Sequence, residues 1–265
     1  MKIINYTSQN STTTLCLVTG IHGNEAFLFE PLKLFLDTHS FNINIKLILA
    51  NELAAQENKR YIDHDLNRIF NHKNKNGNEA TLVHLLKKEV NGDLIIDFHS
   101  HTSAEQFALI SKENDSPYLQ ALINFLQLPH CIIIPPSLTN KSSLIENTAS
   151  SLSIETGKHQ SQDAITFAIN SVEKMIHFLT NSQNQTNFLK TIPLNHTQIL
   201  YAEKFLINSS KQEISIPSTF KNFQPIPTRT KLTSQITLSQ DCIPALISYH
   251  VKPNQKIMLI CKQTN

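Results

Sequence analysis

The chain has 265 residues, enough for one large domain or a main domain with a smaller companion, either with a substantial core. Its 23 basic and 21 acidic residues leave a net charge of +2, with no basic block and 7% aromatics, which argues against a nucleic-acid partner. Cys16, Cys131, Cys242 and Cys261 share no CxxC spacing, and no apolar run approaches ~18 residues, so reduced thiols are expected in a soluble cytoplasmic protein without signal peptide or membrane span.

The first β-rich run is "TLCLVTG", and "GIHGNE" follows it, placing two of the chain's five glycines around one histidine. Gly20 and Gly23 allow a tight strand-to-helix turn. His22 and Glu25 form an HxxE pair there, at the carboxyl end of a strand, where sites in α/β sheets gather. Alone, the pair reads first as a helix-capping turn. The next segment, "NEAFLFEPLKLFLD", reads as a helix that Pro31 would break or kink after about one turn.

"NIKLILA" is a second buried strand, and a polar loop, "NKRYIDHDLNRIF", comes after it. Only three of the 23 basic residues are arginines, Arg60, Arg68 and Arg229, and two of them lie in this loop. A guanidinium fork holds a carboxylate in bidentate fashion or stabilises an oxyanion, whereas lysine acts as a point charge. The alternative is a salt-bridged surface loop with Asp63 and Asp65 as partners.

A helix, "NEATLVHLLKKEV", leads to "LIIDFHSHTS", the most apolar strand in the chain. His99 and His101 lie two apart, hence on one side of an extended chain with Asp97, which could hold a ligand's second ring nitrogen. His22, Glu25 and His99 together make a His2Glu set with a fourth position open, the ligand set of catalytic rather than structural zinc. Helical "SPYLQALINFLQ", the strand "CIIIP" and "DAITFAINSVEKMIHFL" complete an alternation that implies an α/β fold: a mixed central sheet with helices on both faces. Ile165, Ala168, Ile169, Val172, Ile176 and Leu179 keep helical spacing in the last segment.

Residues 181 to 198 are polar and amide-rich and read as a boundary. Beyond them "KFLINSS", "EISIP", "KLTSQITLS", "CIPALISYHV" and "KIMLICK" are short β-like runs among prolines. The expected division is a catalytic α/β domain over 1–190 and a small β-rich domain over 191–265 capping the cleft.

In this order "GIHGNE", "RYIDHDLNRIF" and "IIDFHSHTS" resemble the signature blocks of the aspartoacylase and succinylglutamate desuccinylase family, relatives of the zinc carboxypeptidases. The resemblance implies one zinc ion per chain, held by His22, Glu25 and His99. It also implies that Arg60 polarises the scissile carbonyl, Asn67 and Arg68 grip the substrate's α-carboxylate, and Glu155, in "SIETG", is the general base. The expected activity is hydrolysis of a small N-acyl amino acid, of N-acetylaspartate type given "DFHSHTS". Succinylglutamate desuccinylase and a small metallocarboxypeptidase are the alternatives, a non-enzymatic binding module on the same fold is disfavoured, and self-association is left open. In aspartoacylases a further arginine precedes the catalytic glutamate and holds the substrate's side-chain carboxylate, but this chain has none between Arg68 and Arg229. Lys141 or Lys158 would stand in for it, and Tyr249 for the family's C-terminal-domain tyrosine. Cys131, His101 and His64 are assigned structural or supporting places.

Overall fold

The computed structural model describes residues 1–9, 11–72, 76–184, 192, 197–234 and 236–263. The chain begins with β1 (Lys2–Tyr6), β2 (Thr14–Thr19), α1 (Phe29–Asp37), β3 (Asn44–Leu49), α2 (Glu52–Gln56), α3 (Asn78–Glu89) and β4 (Leu94–His101). It continues through β5 (Phe107–Ser111), α4 (Pro117–Phe125), β6 (His130–Ile134), α5 (Pro136–Thr139), β7 (Ser151–Lys158) and α6 (Gln162–Asn184). The last strands are β8 (Gln198–Ile207), β9 (Ile214–Ser215), β10 (Ile243–Ala245), β11 (His250–Val251) and β12 (Lys256–Gln263).

Ten of these strands form one mixed sheet in the order β1-β3-β2-β4-β7-β5-β6-β8-β12-β10, while β9 pairs with β11. At its heart β3, β2, β4 and β7 are mutually parallel. Parallel neighbours need crossover connections, and those cover both faces of the sheet. The alternation within β2 shows the result. Leu15 and Leu17 pack in the cluster that holds Leu32 and Leu36 of α1, Leu122 of α4 and Val172 of α6; Cys16 and Val18 join Leu82, Val83 and Leu86 of α3. All four cysteines are buried free thiols.

Pro31 does not break its segment. It is the third residue of α1, in the first turn, where a backbone N–H has no intrahelical partner to lose. A 3₁₀ helix over Gly23–Leu28 precedes it, so one stretch holds two differently wound pieces.

The strands after residue 197 extend the same sheet: β8 lies parallel to β6, and β12 runs antiparallel to β8. "KLTSQITLS" yields one isolated bridge, Lys231 to Thr237, rather than a strand. Of the amide-rich stretch 181–198, residues 181–184 end α6, while 185–191 and 193–196 lie outside the described residues. Among the described residues no helix is long and apolar enough to cross a membrane.

Candidate metal centre and cavity

Because β2, β4 and β7 are parallel, their carboxyl ends share one edge, and that edge carries His99 and His101 of β4 and Glu155 of β7, with His22 just past β2. Gly20 closes β2 with φ +64°, in the left-handed region that favours glycine. Gly23 is required for space instead: a Cβ there would stand 2.2 Å from the Ala54 carbonyl carbon and 2.4 Å from the Ala55 nitrogen of α2. Backbone atoms of a packed helix cannot yield, so Gly23→Ala is expected to cost about 1–3 kcal/mol of stability, read as a lowered urea midpoint.

Between these glycines the turn presents His22, and Glu25 follows one 3₁₀ turn on; both are buried. His22 Nδ1 lies 2.9 Å from Glu25 Oε1, and His99 Nδ1 lies 2.9 Å from Glu25 Oε2. The outer nitrogens face carboxylates: His99 Nε2 meets Asp97 Oδ2 at 2.8 Å, and His22 Nε2 meets Asp65 Oδ1 at 3.3 Å. A carboxylate accepts, so with a cation among them each Nε2 would keep its proton on its outer carboxylate and each Nδ1 would turn a lone pair inward. Two imidazole nitrogens and a carboxylate thus converge, with one possible ligand atom from each residue within 4.8 Å of the others. Such a buried cluster needs positive charge at its centre, from protons on the rings or from a metal cation. The donor set and its outer carboxylates fit zinc.

The electrostatics point the same way. Burial alone would raise the Glu25 pKa, yet the charges of His22 and His99 and hydrogen bonds from both hold it well below the carboxylate range. Burial would lower that of His99, but Asp97 and Glu25 hold it well above the usual imidazole value. Protons here take up the charge that a metal ion would supply.

One loop supplies the surroundings. Glu79 of α3, wholly buried, accepts from the backbone N–H groups of Ile62, Asp63 and His64 at 2.7, 2.9 and 3.1 Å. The Arg60 carbonyl accepts from Gly23 N–H at 3.1 Å, tying this loop to the turn that carries His22. Asp65 then receives Arg60 Nε at 3.1 Å, while an Arg60 terminal nitrogen stands 3.5 Å from Glu25.

A cavity of about 400 Å³ opens beside the cluster, lined by His22, Glu25, His99, Glu155, Arg60 and Arg68 among others. Glu155 sits on β7, where its neighbours across the sheet are His99 of β4 and Phe107 of β5. It is 8% exposed, and its Oε2 has no hydrogen-bond partner. Burial pushes its carboxyl up to about 7, with the His99 charge opposing that rise and those of Glu25 and Asp97 adding to it.

Not every expected residue reaches the cavity. Asn67 lies beneath it: its amide oxygen accepts from Leu144 N–H at 3.0 Å and its nitrogen stands 3.1 Å from His99 Nε2. Arg68 does line it, giving one N–H to the Asn67 carbonyl at 2.7 Å. Lys141 is at the surface, paired with Glu113 at 2.6 Å, and Lys158 is exposed at the end of β7; neither lines the cavity. Nor does Tyr249, whose hydroxyl donates to the Phe220 carbonyl at 3.0 Å. His101 borders the cavity outside the cluster, its ring nitrogens engaged by the Glu105 carbonyl and Ser103. The pairing of β4 with β7 shifts register between His99 and His101. Cys131 is core, and His64 contributes its backbone to the Glu79 clasp. Reading the sequence missed Glu79, His159 and Lys256. His159 meets Ser100 Oγ at 2.8 Å on the cavity wall, and no spacing in the sequence marks it or Lys256.

The fold and this cluster define an α/β protein with a candidate His2Glu metal centre at the carboxyl edge of its sheet. Residues 11–180 match the family described as the succinylglutamate desuccinylase/aspartoacylase catalytic domain, and the chain belongs to that family. A probable aspartoacylase of Prochlorococcus marinus is 35% identical over 133 residues, 43% of each chain. The succinylglutamate desuccinylase of Photorhabdus laumondii is 31% identical over 129 residues, 40% of each chain. The chain therefore matches less than half the length of these curated relatives. The crystal structure of succinylglutamate desuccinylase from Chromobacterium violaceum shares the fold, with a TM-score of 0.77 over 99% of this chain and 88% of that one, at 16% identity.

Proposed function

We propose that the protein is a zinc-dependent amidohydrolase that splits a small N-acyl amino acid, of N-acetylaspartate type, into a carboxylic acid and a free amino acid. The observation that carries this reading is one cavity holding both the His22–Glu25–His99 cluster and a buried carboxylate, Glu155, with an unengaged oxygen. Relatives named as aspartoacylase and succinylglutamate desuccinylase support the deacylase class.

His22, Glu25 and His99 would hold the zinc ion, which supplies a Lewis acid that polarises the amide carbonyl and acidifies water. Glu155 Oε2 takes the proton of the attacking water and returns it to the leaving amine. Arg60, poised between Asp65 and Glu25, turns its guanidinium to the oxyanion, a contact whose loss costs about 10²–10³ in rate where such donors have been removed. Arg68 holds the α-carboxylate, while the Asn67 amide oxygen is committed to the Leu144 N–H. In this reading residues 1–190 carry the chemistry and 191–265 cover the cleft; Asn222, Leu246, Ile247, Lys256 and Met258 on the cavity wall support that division.

The test is amine release from N-acetylaspartate, N-succinylglutamate, neutral N-acetyl amino acids and peptides of increasing length, with zinc supplied. Turnover of N-acetylaspartate is expected. Cleavage of the succinyl compound alone would assign the protein to the desuccinylases, and cleavage of long peptides would make it a carboxypeptidase.

A further inference from the structure

Three consecutive residues of the cavity wall, Leu246, Ile247 and Ser248, lie in the loop between β10 and β11, and two more, His101 and Thr102, lie at and just past the end of β4. One side chain joins these two parts of the wall. Asn222, buried and itself on the wall, accepts the Ile247 N–H on Oδ1 at 3.0 Å and donates from Nδ2 to Ser103 Oγ at 3.2 Å. Ser103 in turn meets His101 Nδ1 with its hydroxyl at 2.8 Å and its backbone N–H at 3.2 Å. His101 Nε2 stands 2.9 Å from the Glu105 carbonyl.

The directions of these bonds are forced from both ends. A backbone N–H only donates, so the Asn222 atom facing Ile247 is the oxygen, and the amide hydrogens point to Ser103. A carbonyl only accepts, so His101 carries its proton on Nε2, and Nδ1 takes the Ser103 hydroxyl hydrogen. An unbroken, one-directional chain therefore runs from the Ile247 N–H to the Glu105 carbonyl, each bond polarising the next.

The backbone on both sides of this tie is strained. Phe223, next to Asn222, has φ +63°, and Leu246, next to Ile247, has φ +54°, the left-handed region that bulky residues avoid. Such conformations persist where the surroundings over-determine them. The Phe223 ring stacks on His130 with centroids 4.0 Å apart and meets Phe107 edge-on at 5.0 Å, and Phe107 lies 5.4 Å from the His101 ring. Its N–H goes to the Pro244 carbonyl at 2.8 Å, and Ser248 N–H is held by the Ile257 carbonyl of β12 at 2.7 Å.

We infer that Asn222 is a positioning residue for the cavity. It fixes the spacing between the end of β4, which carries His99, and the loop that forms the opposite wall, and so sets how wide an amide the cavity admits. The consequence for substrate choice rests on the deacylase reading above, and the tie itself does not.

The test uses Ser103→Ala, which cuts the tie at the end remote from the loop, Ser103→Thr, which keeps the hydroxyl, and Asn222→Ala, which removes both bonds. In Ser103→Ala the Ile247 amide is expected to exchange its hydrogen about tenfold faster, although its own acceptor is untouched. In Ser103→Ala and Asn222→Ala, KM for N-acetylaspartate is expected to rise about tenfold, with kcat within about threefold and zinc content unchanged. The ratio of kcat/KM values for N-acetylaspartate and the bulkier N-acetylphenylalanine should shift about tenfold towards the latter. The double variant should lose no more than either single one, because both cut one tie, and Ser103→Thr should stay within about twofold of wild type. Unchanged exchange at Ile247 in Ser103→Ala, additive losses in the double variant, or a loss in kcat alone would overturn the assignment. Should Asn222→Ala fail to fold, Ser103→Ala carries both readouts. A protein that cleaves none of these amides fails the deacylase reading, and the exchange rate still decides the tie.

Discussion

Glu155→Gln is expected to retain zinc at the wild-type level and to lower kcat by about 10²–10⁴-fold. Glutamine has the shape of the native side chain and cannot accept the water's proton. Glu155 lies outside the His22–Glu25–His99 cluster, so metal content has no reason to change. The native carboxyl is placed for proton transfer near neutrality, because burial pushes its pKa up to about 7. A zinc charge held by the neighbouring cluster would lower that value and keep the carboxylate form available at pH 7. Metal analysis beside a kcat measurement checks both halves of the expectation. Undiminished turnover would put the base elsewhere.

His99→Ala is the second large effect, because it removes one of the three proposed ligands and strands a buried carboxylate. Zinc affinity should fall by more than about 100-fold, since loss of an outer partner alone costs about 10–100-fold. Asp97, wholly buried, loses the imidazole that it now meets at 2.8 Å, so the metal-free variant should also be less stable by about 1–3 kcal/mol. The sign of the pH dependence follows from the raised pKa of His99 in the metal-free protein. The folded chain holds a proton there that the unfolded chain releases near pH ~6.5; the resulting stability is present below that pH and is lost as pH rises through the folded value. Zinc bound at this ring would have to displace that proton, so wild-type affinity is expected to weaken as pH falls and uptake at neutral pH to release protons. Calorimetry in buffers of different ionisation enthalpy reads the release, which His99→Ala should lack. Zinc content equal to wild type in that variant would move the third ligand to His101.

The parts of the site legible in the sequence are those in which one local stretch carries the geometry. "GIHGNE" and "DFH" each end a buried strand, and parallel pairing of β2 with β4 brings the two ends together without long-range knowledge beyond the alternation of strands and helices. Asp97 is readable as the partner of His99 because residues two apart share a strand face. Gly23 reads as a torsional need and is a steric one, since the atoms that forbid a Cβ belong to α2, some thirty residues on. The β5 strand escapes because "FALIS" lies between polar loops and runs antiparallel to β7, against the parallel pattern of its neighbours. β1 escapes as a half-polar edge strand. Lys141 is attractive in sequence for its position before Glu155, but in three dimensions Glu113 takes it up at the surface. Lys256 has no local signal at all, because its place depends on β12 joining the sheet two strands beyond β6.

That addition of late strands to one continuous sheet separates two kinds of inheritance in the chain. The groups proposed to carry the reaction all precede residue 160, whereas Phe205, Leu246, Ile247, Lys256, Met258 and Leu259, which shape the opposite wall, all follow residue 200. Substitutions in the later segment can retune which amide fits without disturbing a ligand or the base. Descendants of such a gene can change diet while keeping their chemistry.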